Sequence, residues 1–469
     1  MDQVMEDSSA AQAFFRPVSE QTVLPETDVT VTVSTAGGGG TFLNISEALS
    51  VHTQGTVRII MSAGTYEEVG LELRDGIQIV AAEGCMPATE GAVVLTSRKD
   101  KPVVKSSAKG AIIRNLQVEH RGPFGSMACV VVEAGDLALE DCLITGSVSV
   151  GVLICGTATP TIDHCQVLRC CGDGIKVVDS AEPLVRGCEL RSNDGFGIFC
   201  TGASAGVYRQ NSISANSNAG VATRGTCSAL FEDNKLFNGK QGGFWMEENS
   251  RCRVMNNDIY QNQKSGIQVG GHADPLVRGN IVRDGLKGGI VVHDHATGQF
   301  VQNEIMRNTM AGVGGTDYAC PIFHSNIVKD GKGGGIVLHE HCKGVFEKNQ
   351  VIGNTHAGIG LKGSSNALFD GNYVSDGSGY GVWVQERSFS TLQNNVRTLA
   401  CAVNFSELPA AHKGVWRRGA SPLQRCRTLA RTPNFREKHA LFLGDFHKSL
   451  EKEICFPKLF FFEILFFNR

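Results

Sequence analysis

Several protein classes are excluded by what this sequence has little of. No apolar run reaches the roughly 18 residues a membrane-spanning helix needs, so no such span is expected. Basic residues are not in excess: 44 Lys and Arg stand against 47 Asp and Glu, a formal net charge of -3, which speaks against nucleic acid as a partner. The opening MDQVMEDSSAAQAFF is acidic and has no apolar core behind a basic start, so no secretory signal is expected. Only 13 prolines accompany 56 glycines, which makes the glycine excess a matter of turns rather than of a collagen-like or disordered chain. The 16 cysteines form no short paired framework and point to reduced, buried thiols in a cytoplasmic or nuclear protein.

What is abundant is repetition. A glycine followed by an apolar residue returns every 23 positions from Gly151 through Gly174, Gly197 and Gly220 to Gly381. A period of this length is the mark of a solenoid. Apolar columns also stand eleven positions after the glycine, from Ile162 and Val185 to Leu392, and sixteen after it, from Val167 to Val374. Three apolar points per coil, each on a run too short for a helix, predict three short strands around a triangular tube. The fold class is therefore all-β, a right-handed parallel β-helix, with eleven regular coils stacked at about 4.8 Å into a rod roughly 50 Å long. The glycine column reads as a demand for positive φ or for close approach between coils.

Fourteen positions after the glycine the column is polar where burial is expected: Asn211, Asn234, Asn257, Asn280, Asn303, Asn326, Asn349, Asn372 and Asn395. An amide both donates and accepts, so these side chains can bond one another up the rod. The same column begins with Cys142, Cys165 and Cys188. A second rhythm of 46 residues overlies the first: Pro275 and Pro321 alternate with Gly298 and Gly344, and Asn262, Asn308 and Asn354 alternate with Gly285, Gly331 and Gly377. Two coils are thus the unit of duplication.

Around the repeat, residues 1–28 read as a flexible leader and 29–140 as an N-terminal cap with irregular coils, including a short amphipathic helix in FLNISEALSVH. Regular coils occupy 141–400. Residues 401–469 read either as a C-terminal cap or as sequence foreign to the rest.

The alternation of a P-x-V/I coil with a G-x-F coil, the turn from Arg283 to His293, and N-x-x-x-A-G-V at Asn308 to Val313 resemble the β-helical region of the F-box only protein 11 family. The segment GTYEEVGLELRDGIQIVAAEG is similar to the opening of β-helix proteins in general. The family resemblance implies a protein-binding scaffold that recruits substrates for ubiquitin transfer, with Skp1 and a cullin as further partners if an F-box is present. No F-box is found in the leader, where Leu24, Pro25 and Glu26 are not followed by an apolar helix; Phe456 to Leu465 has F-box-like apolar spacing. The family's zinc-binding module is not recognised.

Parallel β-helices also carry polysaccharide chemistry, which needs carboxylates, or a carboxylate with His and a basic residue, converging from adjacent coils. Asp173 and Asp194 precede turn glycines and read as turn residues. The densest candidate is His293, Asp294 and His295 with His339, Glu340 and His341, two coils away, and Asp317 between them. Two coils separate equivalent atoms by roughly 9 to 10 Å, too far for one metal, so neither a metal nor a cofactor is expected. Trp245 and Trp383 stand two positions after a column glycine and are candidate outward anchors. These nine residues are expected to bind a protein partner, with no catalytic residue assigned; the alternative is a carbohydrate-active enzyme, a uronate polymer lyase or epimerase.

Overall fold

A computed structural model of the chain describes residues 23–37, 41–122, 128–147, 149–385 and 388–397, with the backbone of Val403–Phe405 and Arg417–Arg418. The expectations for most of the leader and nearly all of the tail therefore fall outside the described residues. Three sheets of 17, 16 and 15 strands run the length of these residues, and every pairing between strands is parallel. One coil shows the pattern: Ile267–Val269 lies in the third sheet, Leu276–Arg278 in the first and Ile281–Arg283 in the second. Each strand pairs with the residue 23 positions on, as in Ile267 with Ile290, Leu276 with Gln299 and Ile281 with Glu304.

The three apolar columns all point inward. Ile267, Val277 and Val282 are buried, as are their counterparts in neighbouring coils. In the column eleven after the glycine, aromatic rings stack on the coil spacing: Phe300 and Phe323 have centroids 4.3 Å apart with planes 6° from parallel, and Phe346 and Phe369 follow at 4.7 Å. The glycine column does not adopt positive φ. It answers to space, since a Cβ on Gly197 would lie 2.5 Å from the Ile213 side chain and 2.6 Å from the Gly220 carbonyl.

Left-handed backbone stands at the corners of the coil instead, and one of these lies between the first and second sheets. Asp233, Asn256, Gln302, Ser325 and Lys348 have φ between 53° and 55° there, and Gly279 has 67°. The next residue is the ladder asparagine. Asn280 Nδ2 donates to the carbonyl of Val254 at 2.8 Å and to Asn303 Oδ1 at 3.0 Å, while its Oδ1 accepts from Asn257 N and Nδ2, both at 2.9 Å. The pattern repeats up to Asn372 and Asn395. Where the column is cysteine, the amide of Cys165 donates to Cys188 Sγ at 3.4 Å. A second ladder supports the corner before the third sheet: Gly285 N donates to Asn308 Oδ1 at 3.0 Å and Gly331 N to Asn354 Oδ1 at 3.1 Å.

The base of the rod is closed by α1, Ile45–Val51. Asn44 caps it by accepting from Glu47 N. The buried carboxylate of Glu68 accepts from Ile45 N at 2.7 Å and Ser46 Oγ at 2.6 Å, which suits the positive end of a helix. Ile45 and Ala48 join the core.

Replacing Asn280 by Ala removes four buried hydrogen bonds and leaves the Asn257 amide without its acceptor, at a cost of more than about 2 kcal/mol. Exposed Gln263→Ala should change stability by less than about 0.5 kcal/mol. Urea unfolding of the two variants checks this, and equal midpoints would refute a structural role for the ladder.

Candidate functional site

The outer face of the third sheet collects most of the residues the sequence singled out. Because side chains alternate along a strand, positions two and four after each column glycine share that outer face. Position two carries Trp245, Gln268, Val291, Gly314, Val337, Gly360 and Trp383, paired in that order across seven coils. Position four carries Glu247, Gly270, His293, Thr316, His339, Lys362 and Gln385. The strip spans roughly 29 Å at the ordinary strand spacing. Its middle is low and smooth. A Cβ on Gly314 would meet only Val291 methyls, at 3.6 and 4.0 Å, so open space stands above that glycine, and Val337 beside it is buried.

His293 is 9% exposed and held from both sides. Its Nδ1 lies 3.0 Å from Asp294 Oδ2, and its Nε2 lies 3.0 Å from Gln268 Nε2. With Nδ1–H donating to the carboxylate, Nε2 accepts from the Gln268 amide. Burial raises the pKa of Asp294, but the Gly271 N–H together with His293 and His295 outweighs it and holds the carboxyl below its usual value. His339, two coils on, is half-buried, and burial followed by the Lys362 ammonium lowers its pKa to about 4. It is a neutral imidazole at physiological pH.

Other candidates have structural duties. Asp294, Asp317 and Glu340 occupy a left-handed turn position, with φ of 56°, 56° and 52°. Asp294 Oδ2 also accepts from Gly271 N at 3.0 Å, and Asp317 Oδ2 faces Asp294 N at 3.4 Å, so these acids tie each turn to the one before. His295 and His341 sit on the rim beyond, sandwiching Tyr318 with centroid distances of 5.3 and 4.9 Å and planes 11° from parallel. Among the described residues no group of three His, Cys, Asp or Glu is placed to hold a metal. Asp173, expected in a turn, opens the strand Asp173–Val177 instead, and its Oδ1 accepts from Phe196 N of the next coil at 2.9 Å.

Trp245 is packed in place: its Nε1 donates to Glu247 Oε1 at 2.9 Å, the Arg224 guanidinium lies 4.8 Å from its ring centre, and Phe196 lies 6.0 Å away. Trp383 borders Gly360 at the other end of the strip. Sequence reading missed Gln268, Lys362 and the glycines of the floor. The signal was available, since Lys362 lies one 23-residue step beyond His339.

The model of the right-handed β-helix region matches residues 76–208, 150–298 and 265–406, and the chain belongs to that family. No curated protein matches it. Among solved structures it is similar to the periplasmic alginate epimerase AlgG, at 12% identity over 75% of this chain and 78% of that one, with a TM-score of 0.42. It is also similar to the A-module of the Azotobacter vinelandii mannuronan C-5 epimerase AlgE6, at 16% identity over 77% and 93%, TM-score 0.41. A third is the catalytic unit of the GH87 α-1,3-glucanase of Streptomyces thermodiastaticus strain HF3-3, at 14% over 79% and 70%, TM-score 0.46.

The expectation of a scaffold resembling a ubiquitin-ligase subunit is corrected: the family the chain belongs to is that of the right-handed β-helix region, and the solved structures named here are two epimerases and a glucanase, whose likeness is one of fold. The alternation that suggested the resemblance has a packing cause. Gly298 adopts φ 112°, and a Cβ there would lie 2.9 Å from the Pro275 carbonyl and 3.0 Å from its ring, so a proline coil calls for a glycine coil above it.

His339 also sets a pH dependence. In the unfolded chain it takes up a proton as pH falls through about 6.5, but in the folded chain only near 4, so its contribution to stability is full above about 6.5 and lost on the way down to about 4. Thermal melts between pH 7 and 4 should therefore show a smaller loss for His339→Gln than for the parent. An identical loss would place the imidazole in water.

Proposed function

We propose that this protein is a carbohydrate-active β-helix enzyme that takes a linear polysaccharide lengthwise along the outer face of the third sheet. The observation that supports this reading is the continuous strip from Trp245 to Trp383, floored by Gly314, Val337 and Gly360 and lined on one side by His293, Thr316, His339 and Lys362. An extended sugar chain advances by about one residue per coil at the roughly 4.8 Å strand spacing, so every coil offers the same polymer a contact. Two groups on that face suit proton transfer and charge stabilisation. Neutral His339 can accept a proton, and the Lys362 ammonium in the next coil can steady the negative charge that develops. His293, oriented by Asp294 and Gln268, supplies a second imidazole two coils away.

Incubating the full chain with linear polysaccharides and following product by chromatography and NMR tests the reading. Turnover should fall at least about a hundredfold in His339→Gln and Lys362→Gln, with melting temperatures at pH 7 maintained. A bulky Gly314→Trp on the floor should block binding. Absence of both binding and turnover across the panel would sink the proposal.

A further inference from the structure

Cys252 stands where the two-coil rhythm breaks. In steps of 46 its place is held by Gly206, Gly298 and Gly344, whose φ of 101°, 112° and 117° and bare Cα leave room for Pro183, Pro275 and Pro321 in the coils before. Before Cys252 that coil carries Ala229, and the glycine is replaced by a thiol. Cys252 Sγ lies 3.7 Å from Cys227 Sγ and 3.5 Å from the Cys227 carbonyl oxygen, with both side chains fully buried. Nor does packing call for sulfur at Cys227, since Ser204 and Ser250 fill the same place on the adjoining coils and Ala273 and Ala296 on the next two. Hydrogen bonds from the Cys200 and Cys252 thiols lower the pKa of Cys227 against the opposing effect of burial, while the bond to Cys227 and burial raise that of Cys252. The pair is thus divided into a nucleophile and a proton donor.

The two cysteines lie in the turns that hold Trp245. Arg224, in the turn of Cys227, stacks on the Trp245 ring, and Glu247, in the turn of Cys252, accepts from its Nε1 at 2.9 Å. Arg224 Nη2 and Glu247 Oε2 are 3.3 Å apart. Joining the sulfurs means closing their contact to about 2.05 Å, within reach of a small side-chain rotation. We propose that Cys227 and Cys252 are a modification site, closed to a disulfide by hydrogen peroxide, that clips together the two turns holding Trp245. The Cys227 thiolate attacks one peroxide oxygen, the O–O bond breaks, the sulfur becomes a sulfenic acid, and the departing hydroxide takes up a proton to leave as water. The Cys252 sulfur then attacks the sulfenic sulfur, the S–O bond breaks, and the hydroxyl leaves with the Cys252 proton as a second water. Both thiols are oxidised and the peroxide is reduced. A small uncharged oxidant suits a closed tube, which it enters through local openings of the turns.

The test treats the reduced, folded full chain with hydrogen peroxide, blocks the remaining thiols with N-ethylmaleimide in denaturant, and maps the peptides by mass spectrometry without reduction. The peptides of Cys227 and Cys252 should be recovered as one linked species that separates on reduction. Peroxide treatment should also raise the melting temperature by about 2 °C or more, because the bond closes a loop in the unfolded chain. Cys252→Gly, which restores the residue found at Gly206 and Gly298, should fold, show Cys227 in no linked peptide, and melt at the same temperature with and without peroxide. Recovery of Cys227 and Cys252 as separate blocked peptides from the treated parent overturns the proposal. So does a link from Cys227 to Cys200 in place of Cys252, or a link that forms only when peroxide is added to the denatured chain. An equal rise in melting temperature for Cys252→Gly overturns the clip between the turns.

Discussion

The corner between the first and second sheets is the constraint on which the rod depends. Turning the chain sharply there needs a left-handed residue and then a buried one whose amide and neighbouring carbonyls have no strand partner. Asparagine at that second position satisfies them from the adjacent coils: the Asn280 side chain reaches the Val254 carbonyl, 26 residues back, and bonds both Asn257 and Asn303. Unpaired polar groups inside a dry tube are expensive, so each coil is completed by the next. A coil of different length would misplace its asparagine and orphan two corners at once. That penalty explains why the 23-residue period does not slip over eleven glycines.

The longer rhythm arises from a similar demand between neighbours rather than along a column. Pro275 fills space that Gly298 must vacate, and Asn308 bonds the amide of Gly285 in the coil before. Unlike partners must then alternate, which makes two coils the repeating unit. The same alternation is carried to the outer surface, where it sets Gly314 and Gly360 between Val291, Val337 and Trp383, and His293 and His339 on either side of Thr316. The surface inherits its texture from packing inside, and the low floor of the strip is one result.

Inward columns were legible because burial leaves few choices: Val277, Phe300 and Val328 could be placed by adding 23, and all are buried. The tight corner was less so. Its left-handed position holds Asp233, Gln302, Ser325 and Lys348, residue types that do not announce a positive φ, whereas the glycine column does announce one and has none. There the cause is steric, the approach of Ile213 and Gly220 to Gly197. Of the candidate site, His293, His339, Trp245 and Trp383 were found and share one face, while Asp294 and Asp317 proved to be bonding the turn before them. Lys362 was passed over because a single lysine on a turn carries no local signal, and only its place relative to the sheet singles it out.

This division also explains why a family resemblance built on repeated motifs did not carry function. P-x-V/I, G-x-F and N-x-x-x-A-G-V are records of proline against glycine, ring upon ring, and amide upon amide, which any tube of this cross-section must solve. Residues free of those demands lie at the second and fourth positions after the glycine and in the turn before it. Nothing in the core requires Gly314 to lack a side chain, since a Cβ there meets only methyl groups at ordinary contact distance. A half-buried imidazole held neutral beside a lysine lowers stability in acid. Features of that kind are where selection for chemistry rather than for folding should be sought, and on this rod they gather along one face.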